Sequence, residues 1–254
     1  MALFDRTPSR LAAGPALLLP ADPGPALLDA ARLYDPQLRH WRSRLIFGNG
    51  VLLFGPFEVT PRLREQAGLP PDTAVAWYAA SSAQDQRGLR THEAKMADGE
   101  LLIRGLAARL GGSLFPGPSL RPRALLASVY SERSVPPDEV ALVLRPYAGD
   151  VAVEDTKDDS YIISGKDITF LTAYSSPGQF IPALAPPAVS PVKKRPLHHW
   201  DLNTGLRPGD ASQDMQLKVA EAALALAARA GGIAVDMLGF RFSTPQELLA
   251  ACAG

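Results

Sequence analysis

The sequence predicts an α+β fold in which antiparallel sheets pack against a few helices. Short β-rich runs are separated by turn-compatible segments, which favours antiparallel neighbours. Gly48-Asn49-Gly50 lies between two apolar runs and indicates a hairpin. Two segments typical of helices each end in Gly-Gly before an apolar run. With 254 residues, 46% of them hydrophobic, the chain can bury the core of one large domain or two small ones.

The first half contains helix and strand signals in alternation. Pro25 suits the first turn of a helix over 24–41, which Pro36 interrupts or replaces by a second short helix. We then expect a hairpin over 44–56, a buried strand over 73–81 and a helix over 98–110. Residues 121–139 look like a connector because they end in a polar segment with two adjacent prolines. The predicted halves are therefore 1–130 and 137–254.

The second half begins with a predicted meander. Its β-rich runs are 139–147, 150–155, 160–164 and 167–174. Residues 175–196 hold six prolines, so we expect an irregular or extended segment that offers an interaction surface. A long helix over 212–230, one or two short strands within 232–242 and a last helix started by Thr244 and Pro245 complete the expectation.

The stretches LAARLGG (106–112) and LAARAGG (226–232) agree at six of seven positions and lie 120 positions apart. This spacing suggests that the halves are pseudo-repeats of a sheet-plus-helix unit, although little else aligns at the same offset. Glycines that bind phosphate precede a helix, whereas these follow one. We therefore interpret each stretch as a helix end with a left-handed glycine, followed by a strand.

The densest polar and aromatic cluster is PLHHWDLNTG (196–205). In an extended chain, His199 and Asp201 share one face and His198 takes the other. These side chains could bind zinc or relay protons, with Asp236 as a further candidate. The alternative is a strand with Trp200 packed inward and the polar groups solvated or hydrogen-bonded. Asp236 could instead pair with Arg229 or Arg241, or cap a turn.

Several familiar motifs are incomplete. His92 lacks the second histidine of a zinc-protease helix, because Met96 stands at that position. The segment around Gly165-Lys166 lacks the first glycine and the hydroxyl residue of a phosphate loop, and the acidic run 154–159 lacks the pattern of a calcium loop. There is no Gly-x-Ser-x-Gly elbow, and the single cysteine, Cys252, lies near the C-terminus. We expect no cofactor and no metal.

The charge pattern limits the possible partners. The formal net charge is zero, from 26 basic and 26 acidic residues, so we do not expect nucleic acid as a partner. No run of 18 apolar residues occurs, and we expect neither a membrane span nor a signal peptide, which places the protein in the cytoplasm. Lys193, Lys194 and Arg195, with Trp200 nearby, form the predicted contact for an unknown protein partner.

Two functional classes follow. The first is a non-catalytic binding or interaction protein, such as an accessory or scaffold subunit, because no complete catalytic set appears in the sequence. The second is a metal-dependent or acid/base hydrolase. Its site would lie between the halves and use His198, His199 and Asp201 together with Asp236 or Glu93.

Overall fold

The computed structural model describes residues 7–82, 91–117, 125–155, 160–166, 168–174, 186–192, 197–206 and 210–253. The chain divides into two compact units, which we call unit 1 (Met1–Arg121) and unit 2 (Pro122–Ala253). The predicted class is confirmed, because each unit combines an antiparallel sheet with helices. The boundary lies earlier than expected, since the predicted connector contains a strand of unit 2.

Unit 1 contains a six-stranded antiparallel sheet in the order β2-β3-β4-β5-β1-β6. Its elements in chain order are α1 (Thr7–Ala13), β1 (Ala16–Leu19), α2 (Pro25–Tyr34), β2 (Arg39–Trp41), β3 (Arg44–Ile46), β4 (Val51–Glu58), α3 (Pro61–Ala67), β5 (Val75–Ser81), α4 (His92–Leu110) and β6 (Ser113–Phe115). The predicted hairpin around Gly48–Gly50 is confirmed as β3–β4.

Unit 2 contains a second six-stranded antiparallel sheet, in the order β12-β7-β11-β10-β9-β8. Its elements are β7 (Leu125–Ser131), α5 (Pro137–Ala148), β8 (Ala152–Asp155), β9 (Tyr161–Ser164), β10 (Thr169–Tyr174), a 3-10 helix (Pro187–Val192), β11 (His198–Asn203), α6 (Gln213–Ala230), β12 (Ile233–Asp236) and α7 (Pro245–Ala253). The predicted long helix and the last helix are both present.

The two sheets have the same spatial strand order when the strands of unit 2 are listed from β8 to β12. Both units share the order strand, helix, three strands that form a meander, a strand beside the first, a long helix and a short edge strand. Unit 1 has the additional helices α1 and α3, and unit 2 has the additional 3-10 helix and α7. The register is equivalent as well. Trp77 lies opposite Leu17 of β1, and Trp200 lies opposite Val129 of β7, so the two tryptophans take matching positions on β5 and β11.

The two Gly-Gly stretches end their helices, as predicted, and also allow close contact with the neighbouring strand. Gly111 and Gly231 adopt left-handed φ angles of 65° and 64° as helix C-caps. The next glycines meet the first strand of their own sheet: a Cβ on Gly112 would lie 2.5 Å from the Leu18 carbonyl oxygen, and a Cβ on Gly232 would lie still closer to the Tyr130 oxygen. Side chains are therefore excluded where helix and strand meet.

Helices pack differently on the two sheets. In unit 1, α4 packs against β1 and β5 and α2 packs against α4, while α1 and α3 build an apolar cluster on the face that holds Leu18 and Tyr78. In unit 2, α5 and α6 pack with Trp200 and Leu202 on one face. On the opposite face, the 3-10 helix packs against Val235 and its neighbours.

Two predicted elements differ in the structure. Residues 139–147 were expected to form a strand but belong to helix α5, which begins with Pro137 and has Asp138 and Glu139 in its first turn. Helix α4 begins at His92, earlier than predicted, because the Thr91 hydroxyl accepts a hydrogen bond from the Ala94 N–H and caps it. His92 and Glu93 thus lie in the first helical turn and not in a preceding solvated segment.

Candidate functional site

Four polar or aromatic side chains share the face of the unit 2 sheet that is opposite α5 and α6. Ser128 and Tyr130 lie on β7, directly across from Asp201 and His199 on β11. Alternate residues of a strand point to the same face, so all four side chains belong to one surface. We call this set the polar cluster.

The Asp201 carboxylate is the centre of the polar cluster. The Ser128 hydroxyl donates to Asp201 Oδ1 at 2.6 Å, and His199 Nε2 lies 3.9 Å from Asp201 Oδ2. The His199 ring stacks on Tyr130 with a centroid distance of 5.8 Å. The side chains of His199 and Asp201 are 21% and 32% exposed, so the pair remains in contact with solvent while Ser128 is buried.

The environment of the polar cluster holds Tyr130 in its neutral form. Burial and the negative charge of Asp201 raise the pKa of Tyr130 to about 12, although its hydrogen bond with Ser128 acts in the opposite direction. The phenol is therefore a hydrogen-bond donor across the physiological range.

The geometry defines the chemistry available to the polar cluster. The Ser128 hydroxyl donates to a carboxylate and not to a histidine, so the three residues do not form the serine–histidine pair of a hydrolase. The Asp201 carboxylate therefore lies between the Ser128 hydroxyl and the His199 ring, at 3.9 Å from His199 Nε2.

His198 and Trp200 occupy the opposite face of β11. His198 is 8% exposed and Trp200 is 2% exposed, and the indole N–H donates to the Tyr161 hydroxyl at 3.0 Å. Burial lowers the pKa of His198 and favours its neutral form. The predicted alternation of His198 and His199 is thus present, and the adjacent histidines do not converge on one site. Trp200 is thus buried in the core cluster of unit 2, and its role in partner binding stays a prediction.

Asp236 has a structural position in unit 2. Its carboxylate accepts hydrogen bonds from the backbone N–H groups of Leu238 and Phe240 at 2.8 and 3.0 Å, so it caps the turn after β12. It lies opposite Ala127 and faces away from the polar cluster. Its charge and burial together raise the pKa of the Cys252 thiol to about 11, with burial the larger cause.

The two arginines predicted as possible partners of Asp236 each contact a further residue. Arg229 forms an ion pair with Glu139, which links α6 to α5. The Arg241 guanidinium donates to the Ala188 carbonyl oxygen of the 3-10 helix, with Nε at 2.8 Å. The predicted partner-binding residues Lys193, Lys194 and Arg195 lie outside the described residues, as does most of the proline-rich segment.

A second candidate surface lies on unit 1. Strand β2 is the edge of its sheet, and all three of its residues, Arg39, His40 and Trp41, are exposed. The guanidinium carbons of Arg42 and Arg44 lie 4.8 and 4.1 Å from the centroid of the Trp41 ring. We call residues 39–44 the basic ribbon; its six residues include no acidic side chain.

Sequence reasoning missed the basic ribbon and half of the polar cluster. The letters RHWRSR (39–44) carry a recognisable signal, but the predicted helix over 24–41 extended into them. Ser128 and Tyr130 were assigned to a connector. Their relation to Asp201 depends on the pairing of β7 with β11, which joins residues far apart in the chain.

Among the described residues, no three His, Cys, Asp or Glu side chains converge in a way that could hold a metal ion. In the same part of the chain, no helix combines the length and apolar character needed to cross a membrane. Comparison of the chain with protein-family models, with curated proteins and with solved structures finds no match.

Proposed function

We propose that this chain is a non-catalytic binding protein whose basic ribbon takes an acidic, extended segment of a protein. The observation that carries the proposal is Trp41, an edge-strand tryptophan that is 49% exposed and lies against two guanidinium groups. Tryptophan and arginine are the residues that most often anchor a protein interface. An exposed ring held by cations is also preorganised, because its rotamer is restricted before a partner arrives.

The open edge of β2 supplies the backbone part of this contact. An extended segment can add to a sheet edge through main-chain hydrogen bonds, while side chains provide specificity. Arg39, His40 and Arg42 are exposed around Trp41 and favour carboxylates. A protein segment fits better than nucleic acid, since the formal net charge is zero and the basic ribbon offers a single exposed tryptophan for stacking.

The test uses a short fluorescein-labelled peptide in which Glu alternates with Thr and Val. Fluorescence anisotropy should show saturable binding that weakens as salt is added, because the contact is electrostatic and exposed. Trp41→Ala and Arg42→Ala should each weaken binding about tenfold. Arg32→Ala is the matched control, since Arg32 is an exposed arginine on α2 outside the basic ribbon.

Three results would contradict the proposal. The first is an absence of binding, the second is equal binding to Trp41→Ala and to the parent chain, and the third is equally tight binding of a peptide with Lys in place of Glu. A labelled oligothymidylate that bound more tightly than the acidic peptide would assign the basic ribbon to nucleic acid.

The polar cluster supports a second candidate function, an acid/base enzyme in which His199 transfers a proton and Asp201 orients it. The carboxylate contacts both Ser128 and His199, whereas the matching positions in unit 1 are Ala16, Leu18, Ala76 and Tyr78. A panel of nitrophenyl esters, phosphates and glycosides would test this function. Turnover that disappears in His199→Ala and persists in His198→Gln would support it, whereas turnover unaffected by His199→Ala would exclude it.

We also propose that the two units arose by duplication of one sheet-plus-helix module. The common strand order, the matching register of Trp77 and Trp200 and the two helix–Gly-Gly–strand junctions support this origin. After duplication, the equivalent edge strands β2 and β8 acquired different side chains. Separate expression of 1–121 and 122–254 tests the module: each should give a cooperative unfolding transition, and a failure of both to fold would contradict it.

A further inference from the structure

We infer that the occupant of the basic ribbon is strand β8 of a second copy of this chain. The inference rests on the proposed binding function and names its partner. Among the described residues, β2 and β8 are the equivalent edge strands of the two sheets. Contact between them would join unit 1 of one copy to unit 2 of another copy.

The two edges are complementary in charge. Residues 39–44 carry three arginines and His40, whereas β8 has the sequence Ala-Val-Glu-Asp and is preceded by Asp150. Asp150 and Glu154 are both exposed. Although the formal net charge of the whole chain is zero, the two equivalent edges carry opposite charges. Opposite charges across an edge favour pairing and steer the encounter.

The same charges disfavour the alternative pairings. Two copies of β2 would bring two sets of arginines into proximity, and two copies of β8 would bring two sets of carboxylates into proximity. Charged edge strands generally block unwanted strand pairing. In this chain, like charges oppose the pairing of β2 with β2 and of β8 with β8, whereas opposite charges favour the pairing of β2 with β8.

Apolar side chains also mark both edges. Among the described residues, the large hydrophobic side chains that are exposed are Trp41, Leu142, Val153 and Leu206. Trp41 ends β2, and Val153, which is 37% exposed, lies within β8. An antiparallel register that sets Trp41 opposite Val153 also sets His40 opposite Glu154, so the apolar and charged contacts form together.

The experiment is a reciprocal charge exchange on the full chain. One variant carries Arg39→Glu and Arg42→Glu, and the other carries Asp150→Lys and Glu154→Lys. The mass of the parent chain, measured by light scattering and sedimentation velocity, should rise with protein concentration and fall with added salt. Each variant alone should associate at least tenfold more weakly, because its two edges now carry the same sign.

Mixing the two variants provides the decisive measurement. In the mixture, the acidic β2 of one variant meets the lysines of the other, and the remaining basic β2 meets an intact acidic β8. Association should therefore return, and only between unlike copies. Two matched controls change equal charges elsewhere on unit 1: Arg32→Glu with Arg62→Glu, and Glu65→Lys with Asp72→Lys, all at exposed positions. These controls should associate as the parent does.

The outcomes separate this inference from the proposed function. A chain that stays monomeric at every concentration but still binds the acidic peptide through Trp41 would overturn the inference and leave the proposed function intact. A chain that neither associates nor binds the peptide would overturn both. Association that survives both charge exchanges, or that does not return on mixing, would show that other surfaces form the contact and would also overturn the inference.

Discussion

Units 1 and 2 use the same sheet connectivity but cover one face of the sheet with different chemistry. In unit 1, Ala16 and Tyr78 pack in an apolar cluster with α1 and α3, and the Tyr78 hydroxyl accepts a hydrogen bond from Arg10. The matching register positions of unit 2 are Ser128 and Asp201, which form a hydrogen bond instead. The same strand order is therefore compatible with a face packed by two helices or with a face that combines a polar pair and an apolar 3-10 helix contact, while α4 or α6 packs on the other face.

On the opposite face, the two sheets share a tryptophan at the same position but differ in the hydrogen bonding of its indole. Trp77 and Trp200 occupy matching positions, and both are nearly buried. The Trp200 indole donates to Tyr161, whereas the buried Trp77 indole nitrogen has no hydrogen-bond partner among the described residues. Position in the sheet therefore selects a large aromatic ring, and the neighbours decide whether its N–H is satisfied.

Substitutions at the two helix–strand junctions should cause the largest losses of stability, and these losses should be similar if the two units are equivalent. Gly112→Ala and Gly232→Ala each force a methyl group against a carbonyl oxygen of the first strand, so each should lower the free energy of unfolding by about 3 kcal/mol. Gly111→Ala and Gly231→Ala meet open space and carry only the left-handed strain, which costs about 1 kcal/mol. Urea unfolding followed by circular dichroism measures all four. A similar loss for all four variants would show that the close approach is absent.

The polar face of unit 2 should depend on the Ser128–Asp201 hydrogen bond. A double-mutant cycle with Ser128→Ala and Asp201→Ala should give a coupling free energy of about 1.5 kcal/mol, since the acceptor is charged but partly exposed. In unit 1, Ala16→Ser should destabilise by about 1 kcal/mol because it buries a hydroxyl in the apolar cluster. Urea unfolding measures both. A coupling near zero, or a neutral Ala16→Ser, would contradict the contrast between the faces.

The stability costs of replacing the two tryptophans by phenylalanine should differ by the value of one hydrogen bond. Trp200→Phe removes the hydrogen bond to the Tyr161 hydroxyl. Trp77→Phe removes a buried N–H that has no acceptor among the described residues. Trp200→Phe should therefore cost about 1 kcal/mol more than Trp77→Phe in thermal or urea unfolding. Equal costs would mean that ring packing alone determines stability at these positions.

The polar cluster should also make unit 2 sensitive to alkaline pH. The folded-state pKa of Tyr130 is raised to about 12, so its stabilising contribution is complete below the unfolded value near 10 and falls as pH rises from about 10 to 12. The loss should reach about 0.8 kcal/mol at pH 10.5. Tyr130→Phe should remove this part of the pH dependence. Asp201→Asn should reduce it, because the carboxylate is one cause of the raised pKa. An unchanged slope in Tyr130→Phe would assign the titration to another group.

Local signals in the sequence were sufficient for much of the fold. Gly48-Asn49-Gly50 predicted the β3–β4 hairpin, and Gly111 and Gly231 predicted two helix ends. Residues 139–147 were assigned wrongly because an apolar run of that length has no decisive periodicity; Pro137 and the acidic first turn then favour helix. Residues 125–131 looked like part of a connector because the prolines that follow them suggested a boundary, whereas they form a strand next to β11.

The candidate sites were predicted only in part, for a related reason. Strand alternation alone placed His199 and Asp201 on one face and His198 on the other, and the structure has that arrangement. The sequence could not connect Ser128 and Tyr130 to them, because that contact requires the pairing of two distant strands. Nor could it assign to Asp236 the hydrogen bonds that it accepts from the backbone N–H groups of Leu238 and Phe240.

The sequence by itself determined the class, the helix ends and the hairpin, since these depend on residues within a few positions of one another. Only the tertiary structure decided which strands are edges, which face of each sheet is covered and which polar side chains meet. Those properties depend on long-range strand pairing. That pairing leaves Trp41 and Arg42 exposed on one edge and Val153 and Glu154 on the equivalent edge of the other sheet.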